Sequence, residues 1–288
     1  MMAKHAKTVL FIGALGISVS AILTRFSNAP SMVLALYRMT MAALCLLPVA
    51  LTKHRAELKN LDKKTFLIAL LGGVFLAFHF TCYFEGVYRT SVAAATILCN
   101  TQVFFAAILT VLLFREKLSK PCLAAIALTF LGGVLIALSS AGDGSALSGN
   151  LLALASAVFM ACYEACGRVC RRSELSTNAY TFIVYSSAAL TLLLVCALTK
   201  TPVLGYDKIN FLMAAGMVVF CTFLGHSIFN WGLKYETQAL VATIQSLEPV
   251  GATLWAALIF REIPSFTVLL GGLIVIGGVA LHCKYANT

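Results

Sequence analysis

The sequence predicts an all-α membrane protein: ten transmembrane helices, arranged as two inverted five-helix repeats around a central cavity. Three observations carry that expectation. Of the 288 residues, 60% are hydrophobic and only 11% charged, with a mean hydropathy of +0.93; soluble domains carry about a quarter charged residues. Apolar runs of about 20 residues, enough to cross a ~30 Å hydrocarbon core, recur along nearly the whole chain. The third observation is an internal duplication. Tyr88–Glu116 reads YRTSVAAATILCNTQVFFAAILTVLLFRE, and Tyr235–Glu262 reads YETQALVATIQSLEPVGATLWAALIFRE. Laid Tyr on Tyr, they share Thr90/Thr237, Ala95/Ala242, Thr96/Thr243, Ile97/Ile244 and Val103/Val250. One gap then aligns Phe114-Arg115-Glu116 with Phe260-Arg261-Glu262.

Taken in order, Lys4 and Lys7 precede a first apolar run, about Thr8 to Thr24, that ends at Arg25. It lacks a small-x-small cleavage site and is followed at once by another span, so it reads as a retained helix. Pro30 sits where a helix can begin, opening a second span over about Ser31 to Leu51. The basic loop KHRAELKNLDKK leads to a third span, about Thr65 to Phe84, and the first copy of the duplicated stretch supplies the fourth. Pro121 opens the fifth, which ends near Ser140 in the linker-like AGDGSALSG. The second half repeats this order: a sixth span near Asn150 to Gly167, a seventh near Asn178 to Leu198 and an eighth near Ile209 to Gly232. The second copy is the ninth, and Phe266 to Cys283 the tenth. The halves, residues 8–140 and 149–284, also match at Ala50-Leu51-Thr52-Lys53 with Ala197-Leu198-Thr199-Lys200, and at His79 with His226.

An odd number of spans in each half inserts the second half upside down relative to the first. With both termini cytoplasmic, Lys4, Lys7, Lys53, Arg55, Lys59, Lys63, Lys64, Arg115, Lys117, Lys120, Arg168, Arg171, Arg172, Lys234 and Lys284 fall inside. The outer face receives only Arg25, Arg89, Lys200, Lys208 and Arg261, the bias expected of cytoplasmic loops. The net charge of +10 therefore reflects membrane orientation, and no nucleic-acid partner is expected. The ten cysteines lie almost all within apolar runs, as small packing residues do. No metal, cofactor or catalytic cluster is expected, so the chain does not read as an enzyme.

Ionisable side chains inside a bilayer cost several kcal/mol unless paired or wetted, which makes each a functional candidate. Glu164, on the sixth span, sits beside a small-residue stripe of Ala153, Ala157, Ala161 and Ala165 and so faces protein. It reads either as a coupling carboxylate, for a proton or cation, or as an i, i+4 partner of Arg168. On the ninth span Val241, Gln245, Glu248, Ala252 and Trp255 share one helical face, with Pro249 freeing a backbone carbonyl. That face offers a small polar ligand stacking from Trp255 and hydrogen bonds from Gln245 and Glu248; the alternative has Glu248 bonding another buried group. On the fourth span Thr96, Asn100 and Phe104 share a face, and Gln102 points elsewhere. Arg38, well inside the second span, can attract an anionic substrate group or pair with a buried Glu. The equivalently placed His79 and His226 read as substrate ligands, pH sensors or interhelical hydrogen-bonding groups.

With two five-span halves, YxTxxxxATI openings, Phe-Arg-Glu closings, Tyr37-Arg38 and Glu248-Pro249, the chain resembles the EamA family of the drug/metabolite transporter superfamily. The resemblance implies a ten-helix carrier with a central cavity, moving small metabolites, amino acids or drugs, often outward. Most such proteins close the helix with Gly-Glu; this one has Arg-Glu twice. The expectation is a secondary transporter of small polar metabolites (amino acids or similar), an exporter working by alternating access between two states that inverted repeats make nearly equal in energy. Coupling to protons through Glu164 is part of it. An uncoupled facilitator is the alternative, and an intramembrane lipid-modifying enzyme the alternative of another class. The setting is a plasma membrane of the bacterial inner-membrane type, with the lipid bilayer and a small-molecule substrate as partners.

Overall fold

Several of the helices begin where the sequence supplies a capping oxygen. In the computed structural model, which describes residues 5–89, 95, 98–138, 147–261 and 264–286, helices dominate and no strand occurs among the described residues. Helices α1 (Ala6–Ser18) and α2 (Ser20–Arg25), parted only at Val19, make the first span. Helix α3 (Ser31–Thr52) is followed by the short α4 (Arg55–Lys59) within the basic loop. Asp62 accepts from the Thr65 amide at 3.0 Å and so caps α5 (Lys63–Arg89). Next come α6 (Gln102–Leu112), α7 (Lys120–Leu138) and α8 (Leu147–Arg172). Helix α9 (Thr177–Leu198) is capped by the Ser176 hydroxyl, which accepts from Ala179. Helix α10 (Lys208–Met217) passes through a π-helical segment, Val218–His226, into α11 (Ser227–Gly232). Thr237 caps α12 (Gln238–Gln245), α13 (Glu248–Phe260) follows, and Ser265 caps α14 (Phe266–Tyr285).

Among the described residues, seven helical stretches are long and apolar enough to cross a membrane: Ala6–Arg25, Met32–Thr52, Lys63–Gly86, Leu147–Arg172, Thr177–Leu198, Lys208–Gly232 and Phe266–Tyr285. Leu98–Leu112 and Lys120–Ile136 are shorter apolar helices. The duplicated stretches differ from expectation. Helix α5 continues to Arg89, so Tyr88 ends the third span instead of opening the fourth. The second copy is not one helix: a turn at Ser246–Leu247 divides it, and Pro249, lacking an amide hydrogen, sits in the first turn of α13 where none is needed. Both copies do close alike. Arg115 and Arg261 adopt left-handed backbone at φ 55° and 56°, the conformation that ends helices and that glycine adopts most cheaply.

Long helices pair antiparallel. Helix α8 runs against α5, where Cys170 Sγ donates to Thr65 O (3.7 Å), His79 meets Ser156 O (3.0 Å) and Gly86 lies on Ala153. The same relation with the halves exchanged joins α1 to the eighth span: Leu10 abuts Gly232, Gly13 abuts Ile228, and Gly16 abuts Phe220 and Leu224. Helices α7 and α14 cross with Cys122 near Tyr285, Thr129 near Gly278 and Gly132 near Gly271. A Cβ on Gly132 would come within 2.7 Å of the Gly271 carbonyl oxygen. Small residues matter here because lipid removes most of the hydrophobic drive for helix association, leaving close packing to supply it. Ala153, Ala157, Ala161 and Ala165 are all buried, as the stripe on α8 predicts. Large apolar side chains such as Leu190, Leu258 and Phe266 are exposed and face outward.

Candidate functional site: a buried polar cluster

Arg38 lies buried on α3, 5% exposed. Its Nε donates to Thr222 Oγ1 at 2.7 Å, and the guanidinium carbon sits 5.4 Å from the centre of the Phe80 ring. Nη2 has no partner. Thr222 belongs to the π-helical segment, a geometry that often marks functional positions. Four residues on, His226 meets the same Phe80 ring edge-on at 6.3 Å and the Tyr163 ring at 6.2 Å, and its Nδ1 is also unpartnered. His79, next to Phe80, bonds Ser156 O and lies parallel to Tyr83. The Arg38 charge is felt at His79, His226 and Glu248. The four residues come from α3, α5, the π-helical segment and the start of α13, and so from both halves.

Glu164 occupies a second pocket. It is 1% exposed, and neither carboxyl oxygen makes a hydrogen bond. The amides of Gln245 and Gln238 face it without closing one. Gln245 Oε1 accepts from Gln102 Nε2 at 3.2 Å, while Gln238 Nε2 donates to Ala161 O at 2.6 Å and its Oε1 is unpartnered. The pair expected with Arg168 does not form. Arg168 Nη2 instead donates to both Glu116 oxygens, at 2.7 and 2.9 Å, with its guanidinium over the Phe114 ring; Arg172 joins the same carboxylate. At the other copy Arg25 stacks on Phe260, 4.2 Å from the ring centre.

The shared face expected of the ninth span is broken by the turn at Ser246–Leu247. Gln245 turns to Glu164 and Gln102, whereas Trp255 Nε1 donates to Ser18 Oγ at 2.8 Å. Trp255 and Gly251 thus press α13 onto the first span. Phe104 meets Phe130 edge-on at 4.9 Å in an apolar cluster with Ala239, away from Arg38. Asn100 is half-buried on Leu98–Leu112, and Thr96 lies outside the described residues. Gln102, expected to point elsewhere, joins the Glu164 pocket. Sequence reasoning also missed Gln238 and Asn230, whose Nδ2 donates to Tyr163 Oη at 2.6 Å. The available signal was the presence of amides inside apolar runs.

The family profile described as the EamA-like transporter family matches the chain twice, over residues 6–138 and 147–283. The chain belongs to the EamA-like transporter family. Among curated relatives of this family member, the uncharacterized transporter YdfC of Bacillus subtilis is 28% identical over 88% of this chain and 82% of its own. The pseudopaline exporter CntI of Pseudomonas aeruginosa is 24% identical over 74% and 73%. A probable amino-acid metabolite efflux pump of Salmonella typhimurium is 29% identical over 65% and 66%. A solved protein crystal structure superposes with a TM-score of 0.83 at 20% identity, covering 98% of each chain, which shows a shared fold.

Proposed function

We propose that this EamA-family protein is a secondary exporter of small polar metabolites, amino acids or compounds like them, working by alternating access in a plasma membrane of the bacterial inner-membrane type. The observation that carries the proposal is the cluster of Arg38, His79, His226 and Glu248, built from both halves inside an apolar bundle. Such groups are costly in a bilayer unless a ligand or water meets them. The antiparallel crossing of the fifth and tenth spans, which hold equivalent places in the two halves, supports an inverted arrangement of ten spans. Relatives named as an exporter and an efflux pump support the outward direction.

Glu164 is the proton-coupling group in this reading. Its pocket offers hydrogen-bond donors, the amide nitrogens of Gln245 and Gln238, the latter with one hydrogen left after its bond to Ala161 O. It also offers an acceptor, Gln238 Oε1, which has no partner. Donors and an acceptor together let the pocket hold the carboxyl with its proton or without it, as a coupling group requires. The test is flux into proteoliposomes from a panel of amino acids and nucleosides, with and without a proton gradient. At least one solute should move with the gradient, and Glu164→Gln should keep exchange but lose the gradient dependence. Silence across the panel would sink the carrier reading; gradient-independent flux in the unmodified protein would remove the role given to Glu164.

A further inference from the structure

We infer that Arg38 Nη2 and His226 Nδ1 form a subsite for one carboxylate of the transported solute; the inference rests on the carrier reading above. Both side chains meet the Phe80 ring, the Arg38 guanidinium at 5.4 Å and the His226 ring edge-on at 6.3 Å, and Arg38 is bonded to Thr222, four residues before His226. Both are buried and neither has a partner. The bond from Arg38 Nε to Thr222 uses one edge of the guanidinium and fixes its plane, leaving the Nη2 side free for a second acceptor. No carboxylate of the protein stands within ion-pair distance of Arg38 among the described residues. Glu248 feels the Arg38 charge only from beyond that distance.

A buried guanidinium needs an anion, and none of the described residues supplies one at ion-pair distance, which leaves the place open to a solute. A carboxylate is the class that fits. It is planar, as the guanidinium is, and its second oxygen can accept from the imidazole. Thr222 and His226 lie one turn apart on the same π-helical segment, so the residue that orients Arg38 and the residue that completes the subsite move together. Glu248, within range of the Arg38 charge, supplies an acid to receive a cationic group when the solute carries one.

The subsite is tested by competition with flux in proteoliposomes. For each amino acid that moves, its C-terminal amide, its decarboxylated amine and its deaminated acid are added as competitors. The deaminated acid should compete, while amide and amine should be weaker by roughly tenfold or more, as expected when a buried charge loses its partner. Arg38→Gln should abolish discrimination between acid and amide, His226→Gln should reduce it, and Glu248→Gln should weaken the amino acid but not the deaminated acid. Competition by the amide or amine equal to that of the acid would overturn the subsite. So would transport only of solutes that lack a carboxylate, with the carrier reading left standing. Absence of flux for every solute would overturn both.

Discussion

Arg168 Nη2 donates to both oxygens of Glu116, at 2.7 and 2.9 Å, and this pair joins the end of the first duplicated stretch to α8. It also withdraws from Glu164, one turn earlier, the cation that helix spacing offers it. Arg168 is almost wholly buried, so its charge depends on Glu116. Glu116→Gln should therefore destabilise the protein by about 2 kcal/mol, below the 3–5 kcal/mol of a fully buried pair because Glu116 is partly exposed. Thermal unfolding in detergent measures this. In the double variant with Arg168→Gln the coupling between the two losses should be evident; strictly additive losses would contradict it.

Arg261 closes α13 in left-handed backbone at φ 56° and is exposed. Left-handed backbone costs a residue with a Cβ roughly 1–2 kcal/mol, while glycine brings back part of that as unfolded-chain freedom. Arg261→Gly should raise stability by up to about 1 kcal/mol. Arg261→Ala, which keeps the Cβ, should not. Equal effects of the two would place the cause in the lost charge.

At the crossing of α7 and α14 a Cβ on Gly271 would come within 2.8 Å of the Gly132 carbonyl oxygen. Backbone cannot yield there without parting the helices. Gly271→Val should cost about 1–3 kcal/mol, the usual range for overpacking. Gly277→Val, on the same helix with open space around it, should be nearly neutral. The two melting temperatures, compared directly, decide the point.

In the loop before the third span, burial raises the Glu57 pKa, but bonds from the Ser176 amide and hydroxyl and from His54 outweigh it and hold the carboxyl below its ordinary 4.5. A depressed acid stabilises the fold above its unfolded pKa, and that contribution is lost as pH falls through the folded value. Glu57→Gln should thus be less stable than the parent at neutral pH, with the difference shrinking below pH about 4.5. Melting curves from pH 7 to pH 3 read it; a constant difference would contradict the ion-paired description.

The sequence was informative where a regular helix carries the pattern. The alanine stripe on α8 and the buried side of Glu164 follow from 100° per residue, and both hold. The same arithmetic failed on the ninth span, because Gln245 and Trp255 share a face only if the helix is unbroken, and the turn before Pro249 rotates one half against the other. Gln102 does leave the face of Phe104, and its bond to Gln245 is not legible in the spacing because α6 begins at that residue, after a turn. The π-helical segment that delivers Thr222 and His226 to Arg38 leaves no mark in hydrophobic periodicity, since its residues are almost all apolar. The Arg-Glu closings, by contrast, were visible, and the left-handed backbone explains why glycine is usual there.

The most direct test of the central claim, two halves inserted in opposite senses, is sided labelling of Arg115→Cys and Arg261→Cys. The background would have its ten native cysteines replaced. With a membrane-impermeant maleimide on oriented vesicles, position 115 should react only from the cytoplasmic side and position 261 only from the opposite side. Labelling of both from the same side would contradict the account.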